Sequence, residues 1–225
     1  SLDWQPPECL VQNDISGIIF HGEVEPEFWN KYIKPYPNVG LHYVNHQFDC
    51  DWVKQDNFFR SFKALQYLKE KGHKNIGFVS NEADRLIPRE RFQGYKAAQK
   101  LLSLPENPDW EICWQRPAQD GVLQLEHKVS DYSEYLEKAF AGKEKPTAFI
   151  CIDNWRAMGT LMALQKMGYK IPEDISIIGG YISEHPSKFG MNGDFLKITY
   201  FDDRIEEICA IAAKVLVDKL ASGHL

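Results

Sequence analysis

Short apolar runs alternate with segments of helical periodicity along most of the chain. Apolar runs of roughly four to eight residues are typical of buried strands, and apolar residues spaced three and four apart indicate one face of a helix. The runs predict strands over residues 15–20, 38–44, 75–80, 109–115, 147–152 and 176–179. The helical pattern covers residues 26–34, 56–71, 89–102, 130–141, 154–167 and 206–219. This alternation predicts an α/β fold of parallel sheets flanked by helices.

The predicted sheet architecture directs the search for function to particular loops. In such folds ligands bind beyond the carboxyl ends of the strands. The candidate binding loops therefore follow Phe20, Val44, Ser80, Ile152 and Gly179. Residues 181–194 are rich in glycine, serine and proline, and we interpret them as a connection between two lobes.

Composition and charge narrow the function classes. The chain has 225 residues, and no apolar stretch in it approaches the roughly 20 residues that a membrane-spanning helix needs. Its net charge is −6, so it is a poor DNA-binding protein by itself, because neutralisation of phosphates dominates DNA affinity. The five cysteines are odd in number and widely spaced, without a C-x-x-C motif. This usage favours a reducing, cytoplasmic setting.

Three segments in a fixed order carry a family resemblance. Asp56-Asn57 opens a helix that ends in Gly72-His73-Lys74-Asn75-Ile76, and Arg91-Phe92-Gln93-Gly94-Tyr95 heads a later helix. The third segment, residues 146–179, contains Pro146-Thr147-Ala148-Phe149 and Ile171-Pro172-Glu173-Asp174. Together these segments resemble the effector-binding domain of LacI/GalR-family transcriptional regulators. Each segment alone is weak evidence for this family, but their order and spacing over nearly the whole chain are specific for it.

The resemblance implies a two-lobed periplasmic-binding-protein-like fold. Residues 1–72 together with about 200–225 would form the N-terminal lobe, and residues 73–199 the C-terminal lobe. A small polar effector, a sugar or a related molecule, would bind in the cleft between the lobes. The resemblance also implies a homodimer and a helix-turn-helix domain that this chain lacks, so operator DNA would be a partner only through that domain. Family elements are expected before Ile18 and after Leu220, so we expect truncation at both ends.

Two residues are the main candidates for effector binding. Arg91 matches the effector-binding arginine of the family, and its guanidinium offers five donors in a fixed fork. The alternative is an arginine that forms a salt bridge or a cap at a helix start. Asp153 follows a predicted strand and occupies the family's ligand-binding asparagine position. It could equally be the N-cap of the next helix, and both roles can coexist.

Five further residues are weaker candidates. Asp56 heads a helix at the expected cleft, and Asp203 stands on the last crossover between lobes, but each could be a capping carboxylate instead. Trp155 could stack on a ligand or belong to the core or dimer face. His21 follows a predicted strand, although a lone histidine is more often structural. Tyr181 stands where the family has a ligand-binding aspartate, which puts a standard hexose or pentose effector in doubt.

Other chemistry finds little support in the sequence. His42 and His46 could face the same side of a strand near Asp49, Cys50 and Asp51, but they lack the paired spacing of known zinc sites, so no metal site is predicted. We find no catalytic constellation, phosphate-binding loop or dinucleotide motif, so we expect neither an enzyme nor a cofactor. The leading hypothesis is the effector domain of a regulator. The alternative is a solute-binding protein of a sugar uptake system.

Overall fold

The computed structural model describes residues 6–81, 85–114, 132–180 and 198–223. The strands within these residues are β1 (Ile18–His21), β2 (Asn38–Leu41), β3 (Asp51–Val53), β4 (Ile76–Asn81), β5 (Glu111–Trp114), β6 (Ala148–Cys151), β7 (Ser176–Gly180) and β8 (Thr199–Phe201). The α-helices are α1 (Glu8–Val11), α2 (Pro26–Phe28), α3 (Asn57–Glu70), α4 (Leu86–Leu101), α5 (Ser133–Phe140), α6 (Asn154–Lys166) and α7 (Ile205–Ser222). A π-helical turn, Trp29–Ile33, continues α2, and a 3-10 turn, Pro108–Trp110, precedes β5. The predicted α/β class with parallel sheets is confirmed.

The contacts divide the chain into two compact units, Ser1–Gln55 with Arg204–Leu225, and Asp56–Asp203. The first unit contains a parallel sheet in the order β1-β2-β3. Helix α7 packs Ile208 and Ala212 against Val39 and Leu41 of β2. β3 was not predicted, because three residues with an exposed aspartate do not form an apolar run.

The second unit contains a five-stranded parallel sheet in the order β5-β4-β6-β7-β8. Its central strand β6 is buried on both faces, which explains why its sequence reads as a continuous apolar run. Successive side chains of a strand point to opposite faces, so Ile150 packs with α3 and α4 while Phe149 and Cys151 pack with α5 and α6. The two helix layers therefore cover both faces of this sheet.

The division of contacts falls at different residues from the predicted lobe boundaries. Helix α3 belongs to the second unit because its buried Ala64, Leu65 and Leu68 pack with β4, β6 and α4. β8 belongs there as well, since it pairs in parallel with β7. The predicted connection over residues 181–194 lies outside the described residues. None of the helices in the described ranges is both long and apolar enough to cross a membrane.

Candidate functional site

Two buried arginine side chains meet at the main-chain oxygen of Ile152, directly after β6. Arg60 of α3 donates from Nη1 to this oxygen at 3.1 Å, and Arg91 of α4 donates from Nη1 to the same atom. A carbonyl oxygen has two lone pairs and can accept both bonds. Asp153 follows Ile152 in the chain, and Asp203 accepts a hydrogen bond from Arg60. We call these five residues (Arg60, Arg91, Ile152, Asp153 and Asp203) the carboxyl edge of the second unit.

Arg91, the strongest prediction from the sequence, lies inside this network. Its side chain is buried, and Nε donates to Oδ1 of Asn57 at 2.8 Å. Asn57 in turn donates from Nδ2 to Oε2 of Glu90 at 3.1 Å. These bonds join the first turn of α3 to α4 and orient the guanidinium toward Ile152. Effector contact by Arg91 stays a prediction, and the structure adds a role in holding the two helices together.

The motif around Arg91 has a packing explanation. A Cβ atom added to Gly94 would lie 2.0 Å from the main-chain oxygen of Phe58, so only glycine lets α4 approach the backbone of α3 this closely. The hydroxyl of the next residue, Tyr95, is buried and donates to the main-chain oxygen of Ile76 at 2.8 Å. Burial raises the pKa of this hydroxyl. Gly94 and Tyr95 thus hold α4 against α3 and β4, which places Arg91 within reach of Asn57.

Arg60 was not predicted as a site residue. Its Nε donates to Oδ1 of Asp203 at 3.0 Å, and its Cζ lies 4.7 Å from the ring centroid of Phe201. Burial lowers the pKa of Arg60, and the nearby carboxylates of Asp203 and Asp153 oppose that shift. The signal in the sequence is a charged residue at helical spacing on the face of α3 that also carries Asn57 and Ala64.

The two aspartates that begin helices form the expected caps. Asp153 accepts from the main-chain nitrogen of Arg156 at 2.9 Å, and its second oxygen accepts from Nη1 of Arg156, also at 2.9 Å. Asp56 accepts from the main-chain nitrogen of Phe59 at 2.8 Å. A carboxylate has about four acceptor positions, so capping is compatible with contact to a ligand. Effector binding by either residue stays a prediction.

The remaining candidates are His21 in the first unit, Trp155 in α6, and Tyr181. His21 ends β1 in the first unit and is exposed, with its ring centroid 5.1 Å from that of His42 and 5.6 Å from that of Tyr43. Trp155 lies half-buried in the first turn of α6. Tyr181 falls outside the described residues. Within the described ranges no group of three or more histidine, cysteine, aspartate or glutamate side chains could hold a metal ion.

A family model for the periplasmic binding protein-like domain matches residues 65–224, well over half of the chain. The chain belongs to this family. The matched range contains four of the five carboxyl-edge residues, namely Arg91, Ile152, Asp153 and Asp203. In folds of this kind ligands bind beyond the carboxyl ends of parallel strands, which is where the carboxyl edge lies.

Similar proteins place the chain among LacI-type relatives. It is 32% identical over 141 residues to the HTH-type transcriptional repressor PurR of Histophilus somni, covering 63% of this chain and 39% of that repressor. A LacI family transcriptional regulator from Enterococcus faecium with bound ribose has a TM-score of 0.70 at 23% identity, covering 96% of this chain and 74% of that one. The transcriptional regulator CelR in complex with cellobiose has a TM-score of 0.69 at 18% identity, covering 94% and 61%.

These matches bear on two predictions from the sequence. The resemblance to LacI/GalR effector domains, drawn from three sequence motifs, is confirmed. The alternative of an uptake protein is not favoured, since several of the matching relatives are transcriptional repressors. The chain spans about two-fifths of the length of that repressor, 39%.

Proposed function

We propose that the chain is the effector-sensing domain of a LacI/GalR-like transcriptional regulator, and that a small polar ligand, a sugar or a related molecule, binds at the carboxyl edge. The observation that carries this proposal is the convergence of two buried arginines, Arg60 and Arg91, on one carbonyl oxygen beside Asp153 and Asp203. Buried charges at the open end of a sheet are expensive unless they have partners, so such a cluster favours a binding role over a purely structural one.

The chemistry of the carboxyl edge suits a ligand rich in hydroxyl groups. Each hydroxyl donates one hydrogen bond and accepts others, so guanidinium donors and carboxylate acceptors together satisfy it. The ribose-bound and cellobiose-bound relatives support a sugar-like effector by analogy. The ligand can act only through its different affinity for two states of the regulator.

The proposal extends to partners and setting. We infer a homodimer in the cytoplasm, as the resemblance to LacI/GalR regulators implies. We also infer that operator DNA is contacted through a separate DNA-binding domain, because a chain of net charge −6 is poorly suited to bind DNA itself. We infer no catalytic activity, in line with the repressor function of the curated relative. Light scattering at micromolar protein concentrations tests the homodimer, and a monomeric mass at every concentration measured would refute it.

A thermal-shift panel of sugars, sugar phosphates, polyols and purines tests effector binding. A ligand that binds only the folded state raises the melting temperature by mass action. The Arg91→Ala variant should lose the shift, because a deleted charge-assisted hydrogen bond weakens binding by about 10- to 100-fold. Arg91→Lys keeps the charge but lacks the planar guanidinium, and it serves as the test if Arg91→Ala does not fold.

The matched control is Arg89→Ala, which removes an exposed arginine from the same helix. We expect it to keep the shift of the unaltered protein. An Arg91→Ala protein that is folded and binds as well as the control would refute the assignment of Arg91. A panel without any shift for the unaltered protein would refute the sensing function.

A further inference from the structure

Arg60 carries a donor that the protein leaves unused. Its side chain is only 7% exposed, and its Nη2 atom is buried without a hydrogen-bond partner among the residues that the structure describes. A buried donor without a partner costs about 1–3 kcal/mol, more when the group is charged, so native proteins seldom retain one. The other two nitrogens are occupied, Nε by Asp203 and Nη1 by Ile152.

The surroundings of Arg60 fix where this donor points. In a guanidinium, Nε–H and Nη2 lie along the same edge of the plane, in the fork that binds carboxylates. Nε of Arg60 faces Oδ1 of Asp203, so Nη2 lies on the same side, next to that carboxylate. The ring of Phe201 covers one face of the plane at 4.7 Å. The guanidinium is therefore held in place, and an acceptor for Nη2 must come from beside Asp203.

Resting on the function proposed above, we propose that Arg60 binds the effector through Nη2 and selects ligands with a neutral oxygen at this position. A hydroxyl or carbonyl oxygen can accept from Nη2 beside the Asp203 carboxylate. Asp203 already compensates the charge of Arg60 through an ion pair of 3.0 Å, so a phosphate or carboxylate oxygen there would add a negative charge beside the Asp203 carboxylate and be repelled by it. The inferred ligand class is thus an uncharged, oxygen-rich molecule such as an unphosphorylated sugar.

Titration calorimetry with matched probes tests the inference. The neutral probes are D-ribose, D-glucose, cellobiose, sorbitol and hypoxanthine, and the anionic probes are D-ribose 5-phosphate and D-glucose 6-phosphate. The proteins are the unaltered chain, Arg60→Met, Arg60→Lys and the control Lys63→Met, which changes an exposed residue one turn further along α3. We expect a neutral probe to bind the unaltered chain and the control within twofold of each other.

The Arg60 variants decide the role of the residue. Arg60→Met should bind that probe about 10- to 100-fold more weakly, as expected for a lost charge-assisted hydrogen bond. Arg60→Lys keeps the charge but lacks the planar fork, so its affinity for the probe should lie between those of the unaltered chain and Arg60→Met. If circular dichroism shows that Arg60→Met is unfolded, the affinity of Arg60→Lys tests the role of Arg60 instead. Variants that bind within twofold of the unaltered chain would overturn the inference and leave the sensing function intact.

The probes separate the two proposals. Binding of a phosphorylated probe alone would overturn the neutral-ligand inference while supporting a sensor. Binding of no probe by the unaltered chain would refute the sensing function, and the role of Arg60 with it.

Discussion

Gly94 offers a sharp test of how α3 and α4 hold the carboxyl edge. The Gly94→Ala substitution places a methyl group 2.0 Å from the main-chain oxygen of Phe58, more than 1 Å closer than ordinary van der Waals contact. Overpacking of this kind costs about 1–3 kcal/mol, and a backbone atom that cannot rotate away favours the upper end. Alanine regains about 1 kcal/mol over glycine inside a helix. The net expectation is a loss of about 2 kcal/mol in the free energy of unfolding.

That loss translates into a measurable change in melting temperature. For a domain of this size each kcal/mol lowers the midpoint by about 2–4 °C, so Gly94→Ala should melt about 4–8 °C lower by scanning calorimetry. The displaced helix also carries Arg91, whose bond to Asn57 measures 2.8 Å. The variant should therefore also bind effector more weakly at a temperature where it is fully folded.

Gly142→Ala is the matched control. Its added Cβ would lie 3.5 Å from the nearest atom, the main-chain oxygen of Glu144, which is ordinary contact. Alanine there should leave stability unchanged or raise it by about 0.4–1 kcal/mol through the unfolded chain. If Gly94→Ala melts at or above the temperature of the Gly142→Ala protein, the close approach of α4 to α3 is refuted.

Two further predictions concern buried polar groups in the second unit. Tyr95→Phe removes the hydrogen bond that the hydroxyl donates to the main-chain oxygen of Ile76 and the one that it accepts from Gln99, so the free energy of unfolding measured in urea should fall by about 1–3 kcal/mol. A fall of less than about 0.5 kcal/mol would contradict this prediction. Burial raises the pKa of the Cys151 thiol to about 12, so iodoacetamide at pH 8 should leave it unmodified in the native protein while exposed Cys209 reacts, as mass spectrometry would show; equal labelling would count against the burial of Cys151.

The carboxyl edge was only partly predictable from the sequence. Arg91 and Asp153 could be found because both belong to local motifs, a helix head and a strand end. Arg60 was missed although it shares a helical face with Asn57 and Ala64, because arginines on helices are mostly exposed and this spacing alone does not show that a charged residue is buried. Its partner Asp203 is 143 positions away in the chain, so their pairing exists only in the folded protein.

The periodicity of apolar residues by itself determined the longer helices, the longer strands and the α/β class, because each of these depends on neighbours within one or two turns of chain. It did not predict the four-residue helix α1. Tertiary structure alone decided the sheet order β5-β4-β6-β7-β8 and the short strands β3 and β8. It also assigned α3 to the second unit. These features depend on contacts between distant segments: a three-residue strand gains its stability from the strand beside it, and a helix belongs to the unit against which its apolar face is buried.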